Sequence, residues 1–261
     1  MSAAGAGAPR LSALVVAHDE EAQLADCLET LGFADEIVVV LDRCTDRSRE
    51  IAARFTDRIV EGAWEIEGPR RHAGIDLCEG DWILEVDADE RATPELGAEI
   101  RATIASAAPG YFLVPIDNYV GDRLVRHGWG GSWGTSAAPR LFSRGAKRWS
   151  DQRVHPKVHL QGPKRRLSRP LRHHVDRDIS DMIRRFDRYT TARADDLRAR
   201  GEPGSLAGNL RRVVSRFFKC YVRRKGYREG GYGLLIAIFA ALYPLVSHLK
   251  AKLEPAGTDR E

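Results

Sequence analysis

Three features of the 261-residue chain predict an α/β fold on a mainly parallel, Rossmann-like sheet with a helical extension at the C-terminal end. Short apolar runs rich in Val, Leu and Ile alternate with helical patterns through the N-terminal half, as βα units require. Three of these runs end on polar clusters, His18-Asp19-Glu20-Glu21, Asp42 and Asp87-Ala88-Asp89. Beyond Pro170 the pattern becomes helical. Ligands of open parallel sheets bind outside the carboxyl ends of the strands, so the three clusters are expected to share one crevice.

Leu11 to Ala17 reads as a buried strand, followed by a helix through Leu24, Leu28 and Leu31. Ile37 to Leu41 is a second strand ending on Asp42, after which Thr45 or Asp46 can cap a helix carrying Ile51, Ala52 and Phe55. Arg58 to Glu61 is a third strand, Arg70 to Cys78 a third helix, and Trp82 to Val86 a fourth strand that stops at Asp87. Glu95 to Ser106 reads as a helix and Tyr111 to Pro115 as a strand. Gly128 to Gly134 is a glycine-rich loop whose Trp129 and Trp133 either stack on a ligand ring or pin the loop. Helices are expected over Ile179 to Arg200, Leu206 to Lys225 and Tyr232 to Leu253. The expected organisation is a leader at 1–10, a ligand-binding catalytic domain at 11–175 and a basic helical region at 176–261.

The formal net charge of +4 conceals an uneven distribution, with acids prominent before Asp117 and arginine crowding Arg140 to Arg228. The second half is suited to phosphates or anionic lipid. Cys27, Cys44, Cys78 and Cys220 lie at neither metal-ligand nor redox-motif spacing, which argues against zinc or a disulfide framework and for a reducing compartment. Met1 to Arg10 has neither a basic flank nor an apolar run, so it reads as a leader rather than a signal peptide. Gly233 to Val246 carries no charge but falls short of the roughly 20 residues a span needs, and reads as interfacial or packed.

Two carboxylates one residue apart at a strand end, Asp87 and Asp89, can seat a divalent cation that bridges phosphate oxygens; hard oxygen ligands favour Mg²⁺ or Mn²⁺. Asp-X-Asp also occurs in solvated turns, and position at the sheet's ligand end is what raises it here. Asp42 can accept from a base N–H or a ribose hydroxyl, whereas Asp46, nearer the next helix, is better placed to cap it. Arg165, Arg166, Arg169 and Arg172 with His173 and His174 either bind phosphate or form a solvated face.

The run Leu14 to Glu21, the Asp-containing Val38 to Arg47, and the Gly80 to Glu90 segment resemble successive motifs of the family 2 glycosyltransferases, in particular the bacterial lipopolysaccharide-core glucosyltransferase subgroup. Pro139-Arg140-Leu141-Phe142, Val154 to Val158 and Phe186 to Ala194 are similar to later landmarks, so the resemblance extends over roughly Leu11 to Leu253. It implies a GT-A type nucleotide-diphospho-sugar transferase domain that inverts the anomeric centre, with a nucleotide-diphosphate sugar, a UDP-sugar by resemblance, as donor. Ala17, His18 and Glu20 would line the nucleotide pocket, Asp42 would hold base or ribose, Arg71 would approach the diphosphate, Asp87 would bind ribose and metal, and Asp89 the metal. An inverting transfer needs a general base on the acceptor side. Many relatives carry His-Glu where this chain has His155-Pro156, which leaves His155 or Asp151 as the candidates.

The expected acceptor is a glycan or a lipid-linked glycan such as a lipopolysaccharide core, on the inner face of a bacterial cytoplasmic membrane, with a membrane contact through the basic tail and no nucleic acid. A nucleotidyltransferase would carry a glycine-rich basic loop after the first strand, where this chain has His18-Asp19-Glu20-Glu21. A basic membrane or nucleic-acid adaptor would leave the convergence of Asp42, Asp87 and Asp89 without a purpose.

Overall fold

A computed structural model describes residues 7–130, 133–151, 157–201 and 204–254. The N-terminal part follows the expected alternation: β1 (Leu11–Ala17), α1 (Leu24–Glu29), β2 (Glu36–Asp42), α2 (Ser48–Ala52), β3 (Ile59–Gly62), α3 (Glu67–Leu77) and β4 (Trp82–Asp87). Then come β5 (Glu90–Ala92), α4 (Pro94–Ile104), β6 (Tyr111–Val120), β7 (Arg123–Val125), β8 (Ala137–Ser143), β9 (Lys147–Trp149), β10 (Val158–Leu160), β11 (Lys164–Arg166) and β12 (Leu171–Asp176). The last helices are α5 (Ile179–Ala199), α6 (Leu206–Phe218) and α7 (Gly231–Leu253).

The strand order β3-β2-β1-β4 is parallel throughout, because each strand is reached through a crossover helix. β8 then runs antiparallel between β4 and β6, and β11 lies parallel beside β6. β1 is buried along its whole length, so both faces of the sheet carry apolar packing, as its unbroken apolar run requires. One core layer gathers Leu24, Leu28, Leu84, Leu96 and Ile100, the other Leu14, Val38, Val40, Ile83 and Phe142.

Gly74 lets α3 lie close on the sheet: a Cβ there would come within 2.3 Å of Leu14 Cδ1 and 2.7 Å of Val40 Cγ2. Gly74→Val is therefore expected to cost about 1–3 kcal/mol by overpacking. Urea denaturation checks it, and an unchanged midpoint would mean that the helix can back away freely.

The chain divides into two compact units otherwise than at the expected boundary between 175 and 176. One is Met1–Ile116 with Ala137–His173, and the other Asp117–Ser136 with His174–Glu261. The reason is local: the end of β6 turns into β7, with Asn118 opposite Val125, and Val120, Val125, Trp129 and Trp133 share a core with Met182, Ile236 and Ala240. Helix bounds also shift, and α2 ends at Ala52, short of Phe55. α1 ends before Leu31, α3 starts three residues before Arg70, and α6 gives way to a π-helical turn, Lys219–Arg223, instead of running to Lys225.

In the second unit Trp133 is almost wholly buried against Phe186 and Phe239, with the Arg185 guanidinium 4.0 Å from its ring centre. Trp129 is buried too and donates to the Val125 carbonyl. Both tryptophans pin their loop. Cys27, Cys44, Cys78 and Cys220 are free thiols.

Candidate active site

The crevice forms where the sheet reverses its direction of winding. From β1 the chain moves to β2 and β3 on one side and returns to β4 on the other, so the loops after β1 and β4 diverge. Val16 stands opposite both Val40 and Asp87, which brings Ala17, Asp42 and Asp87 level at the carboxyl ends of three neighbouring strands. All site residues described below belong to the first unit.

The β1 and β2 loops are stitched together. His18 Nδ1 lies 2.5 Å from the Asp42 carbonyl oxygen, the Glu20 amide donates to Ser48 Oγ at 3.1 Å, and Asp19 Oδ1 accepts from the Thr45 amide at 2.6 Å. Asp46 accepts from the Ser48 amide at 2.9 Å and the Glu21 amide at 2.8 Å, but it stands one residue before the N-cap of α2, which is Arg47, rather than at the cap expected of it. Asp19, Cys44 and Asp46 approach closely enough to suggest a cation site, but their oxygens are engaged by these backbone amides. Asp19 and Arg43 both hold left-handed backbone, φ 51° each, at the ends of the strands that border the crevice. Such conformations cost on the order of 1 kcal/mol outside glycine and concentrate at functional sites.

Asp42 is fully buried, with four donors on its carboxylate. Oδ1 accepts from the Trp64 amide at 3.0 Å and Arg43 Nε at 3.1 Å, Oδ2 from Arg43 Nη2 at 3.0 Å and Arg70 Nη1 at 3.1 Å. Burial pushes its pKa up, but the Trp64 amide and the two arginines outweigh that and hold it below the ordinary value. A depressed folded pKa stabilises above the unfolded value, about 3.9, and the contribution disappears as pH falls through the folded pKa. Asp42→Asn is therefore expected to lose about 1–3 kcal/mol at neutral pH and less near roughly pH 3. Thermal melts across that range check it; a loss independent of pH would contradict the charge argument.

At the end of β4, Asp87 lies between two guanidinium groups. Its Oδ1 accepts from Arg71 Nη1 at 3.0 Å and its Oδ2 from Arg140 Nη2. Burial would raise its pKa, yet Arg140 and Arg71 hold it well below the carboxylate range. Arg71 is itself nearly buried, bonded to Glu67 at 2.7 Å and paired with Glu85 at 2.9 Å, so its Nε and Nη1 are engaged by carboxylates. Arg140 also bonds Glu90 at 2.7 Å, and Lys147 Nζ bonds Glu85 at 2.6 Å.

Asp89 is differently placed. Oδ2 lies 3.1 Å from His173 Nε2, while Oδ1 is buried without a hydrogen-bond partner. Burial lowers the His173 pKa, but the bond to Asp89 and the surrounding acids raise it overall. An orphaned buried carboxylate oxygen is costly, and one at the mouth of a strand-end crevice fits a hard divalent cation.

Asp151 is exposed beside the first turn of α3, its Oδ1 3.6 Å from where a Cβ on Gly68 would stand. That turn also carries Arg70 and Arg71, so Asp151 is on the crevice side of the sheet. His155 lies outside the described residues. Sequence reading left Glu85, Glu90, Lys147 and Arg140 without roles and placed His173 in a basic cluster rather than beside Asp89. Of that cluster, Arg165 covers the Phe112 ring at 4.4 Å and His174 stacks on Tyr119.

A parallel sheet that reverses beside β1, with acids at the ends of the adjoining strands, is the architecture of a GT-A glycosyltransferase. The chain belongs to glycosyl transferase family 2, which matches residues 12–218. It is 24% identical over 254 residues to the lipopolysaccharide core biosynthesis glycosyltransferase LpsC of Rhizobium meliloti, covering 92% of this chain and 91% of that one. An uncharacterized glycosyltransferase of Rickettsia felis is 23% identical over 252 residues, 89% of this chain and 86% of that one. Among solved structures, S. aureus TarS 1-349 in complex with UDP-GlcNAc is similar with a TM-score of 0.40 and 19% identity, over 52% of this chain and 46% of that chain. Glucosyl-3-phosphoglycerate synthase from Mycobacterium tuberculosis in complex with Mg²⁺ and UDP is similar with a TM-score of 0.36 and 18% identity, over 42% of this chain and 44% of that chain. The matched part thus spans under half the length of either structure.

Proposed function

We propose that this glycosyltransferase inverts the anomeric centre, taking its sugar from a nucleotide diphosphate, UDP by family resemblance, and passing it to a glycan or lipid-linked acceptor such as a lipopolysaccharide core. The observation that carries the reading is the convergence of Asp42, Asp87 and Asp89 at one crevice, with Asp89 Oδ1 lacking a partner. The name of the Rhizobium relative supports the choice of acceptor.

In this reading Ala17, His18 and Glu20 form the wall against which the nucleotide lies, and Asp42 accepts from base or ribose once one of the four donors on its carboxylate gives way to the ligand. Asp87 and Asp89 would hold Mg²⁺ or Mn²⁺, with Asp89 the main ligand and Asp87 also on the ribose. The ion would supply positive charge to the departing diphosphate. Arg71 and Arg140 keep Asp87 ionised and oriented, and Arg71 acts on the diphosphate through this network. The acceptor hydroxyl attacks the anomeric carbon as the carbon–oxygen bond to the diphosphate breaks, and its proton passes to Asp151 or His155. The protein works at the inner face of the cytoplasmic membrane, where lipid-linked glycans are elongated.

The test is transfer to a lipopolysaccharide-core acceptor from a panel of UDP-, GDP- and dTDP-sugars, with the product linkage read by NMR. Transfer from one donor with inversion is expected. Retention, or transfer from no donor, would sink the reading. Asp151→Asn should reduce turnover by about 10²–10⁴-fold with donor affinity unchanged if Asp151 is the base.

A further inference from the structure

In the second unit, α6 carries a face that the fold leaves uncovered. Leu206, Leu210, Val214, Phe218 and Val222 recur every four residues and are 48%, 50%, 72%, 54% and 42% exposed. That spacing lines them along one side of the helix and into the π-helical turn. Val214 and Phe218 also border an apolar groove of about 420 Å³ whose far wall is Ile238, Ala241 and Leu242 of α7. A continuous ridge and groove of this kind differs from singly scattered apolar residues and marks contact with an apolar partner.

The surrounding charge selects the partner. From Gly204 to Arg228 there is no acid, while eight positions are Arg or Lys. Arg211, Arg212, Lys219 and Arg223 are exposed beside the ridge. A second copy of the chain would set these like charges against each other, and nucleic acid would leave the ridge in water. A bilayer with anionic headgroups satisfies both, since acyl chains accept the ridge and phosphates accept the guanidinium groups.

We infer that α6 is the membrane-docking element of this protein, lying in the headgroup plane of an anionic membrane with Leu210, Val214 and Phe218 inserted. The apolar α7 does not fill this role, although by length and composition it is apolar enough to cross a membrane. It packs on α5 and α6, burying Ile236, Ala237 and Ala240. Lys250 Nζ ties it to Asp187 Oδ1 at 2.6 Å and Arg198 Nη2 to the Lys250 carbonyl at 2.5 Å. The inference deepens the reading of a lipid-linked acceptor, because the membrane that presents the acceptor would also hold the enzyme.

Co-sedimentation of the full chain with phosphatidylcholine vesicles, with and without phosphatidylglycerol and in the absence of substrate, tests it. Binding is expected only with phosphatidylglycerol, and it should weaken as salt rises. The double variant Val214→Glu, Phe218→Glu should lose at least about tenfold in partitioning, with an unchanged thermal melt because both side chains are exposed. Arg211→Glu with Lys219→Glu should lose as much. The inference is overturned if the wild type ignores phosphatidylglycerol, or if the apolar double variant binds like the wild type. It is equally overturned if that variant instead abolishes a dimer seen by light scattering while vesicle binding persists. Vesicle binding without transfer to any acceptor would defeat the catalytic reading and leave this one standing.

Discussion

Asp89→Ala is expected to abolish metal-dependent nucleotide binding while leaving the fold intact. The asymmetry between the two acids of the Asp-Ala-Asp motif makes this the sharper of the two possible substitutions. Asp87 has both oxygens on guanidinium groups and is part of the scaffold, whereas Asp89 keeps one buried oxygen without a partner. Removing Asp89 forfeits one bond to His173, worth about 1 kcal/mol, and also removes an unsatisfied acceptor, so stability should hardly change. Turnover should fall on the order of 10³-fold, because a bound ion supplies several kcal/mol at the departing charge and each 1.36 kcal/mol is tenfold. Calorimetry of UDP with and without Mn²⁺ checks it. Chelation should bring the wild type down to the variant and leave the variant unaffected. If Asp89→Ala binds UDP with Mn²⁺ as the wild type does, the ion is held elsewhere.

The parts of the site legible in the sequence are those fixed by local pattern. β1, β2 and β4 are apolar runs buried on both faces, and the acids that end them can be placed at the crevice from chain order alone. The rest depends on pairing between distant segments. Glu85 stands inside an apolar run, and nothing nearby announces Lys147, which arrives through the β8 and β9 segment sixty-two positions later. Arg140 reaches Glu85 and Asp87 because β8 pairs antiparallel with β4, setting Leu141 opposite Leu84. His173 reaches Asp89 because β12 pairs with β5, setting His173 opposite Glu90. Strands such as Lys147–Trp149 and Lys164–Arg166 are three residues long and charged, so no alternation could reveal them. The one signal for Arg140 was its place in Pro-Arg-Leu-Phe, a basic residue entering an apolar strand end, where a buried cation needs a carboxylate partner.

That need gives Arg140→Ala the largest expected effect on stability. Arg140 pairs with Asp87 and Glu90 and lies 3.9 Å from Glu85, all three largely or wholly shielded from water. Truncating it leaves those acids without their shared cation, and breaking a buried pair from one side costs about 3–5 kcal/mol. For a chain of this size that lowers Tm by roughly 6–20 °C. The pH dependence identifies the cause. Burial already raises the Glu90 pKa against the pull of Arg140, so without Arg140 it rises further and Glu90 folds protonated over a wider range. Asp87 likewise loses one of the two cations that depress its pKa. Arg140 therefore stabilises most at neutral pH, where the acids are ionised, and the gap between wild type and variant should narrow as pH falls through the carboxylate range. Arg140→Lys restores the charge without the forked donor geometry and should recover part of the loss. Thermal melts of both variants from about pH 7 to 4 check this, and a Tm within about 2 °C of the wild type at neutral pH would show that Arg71 alone suffices to hold the network.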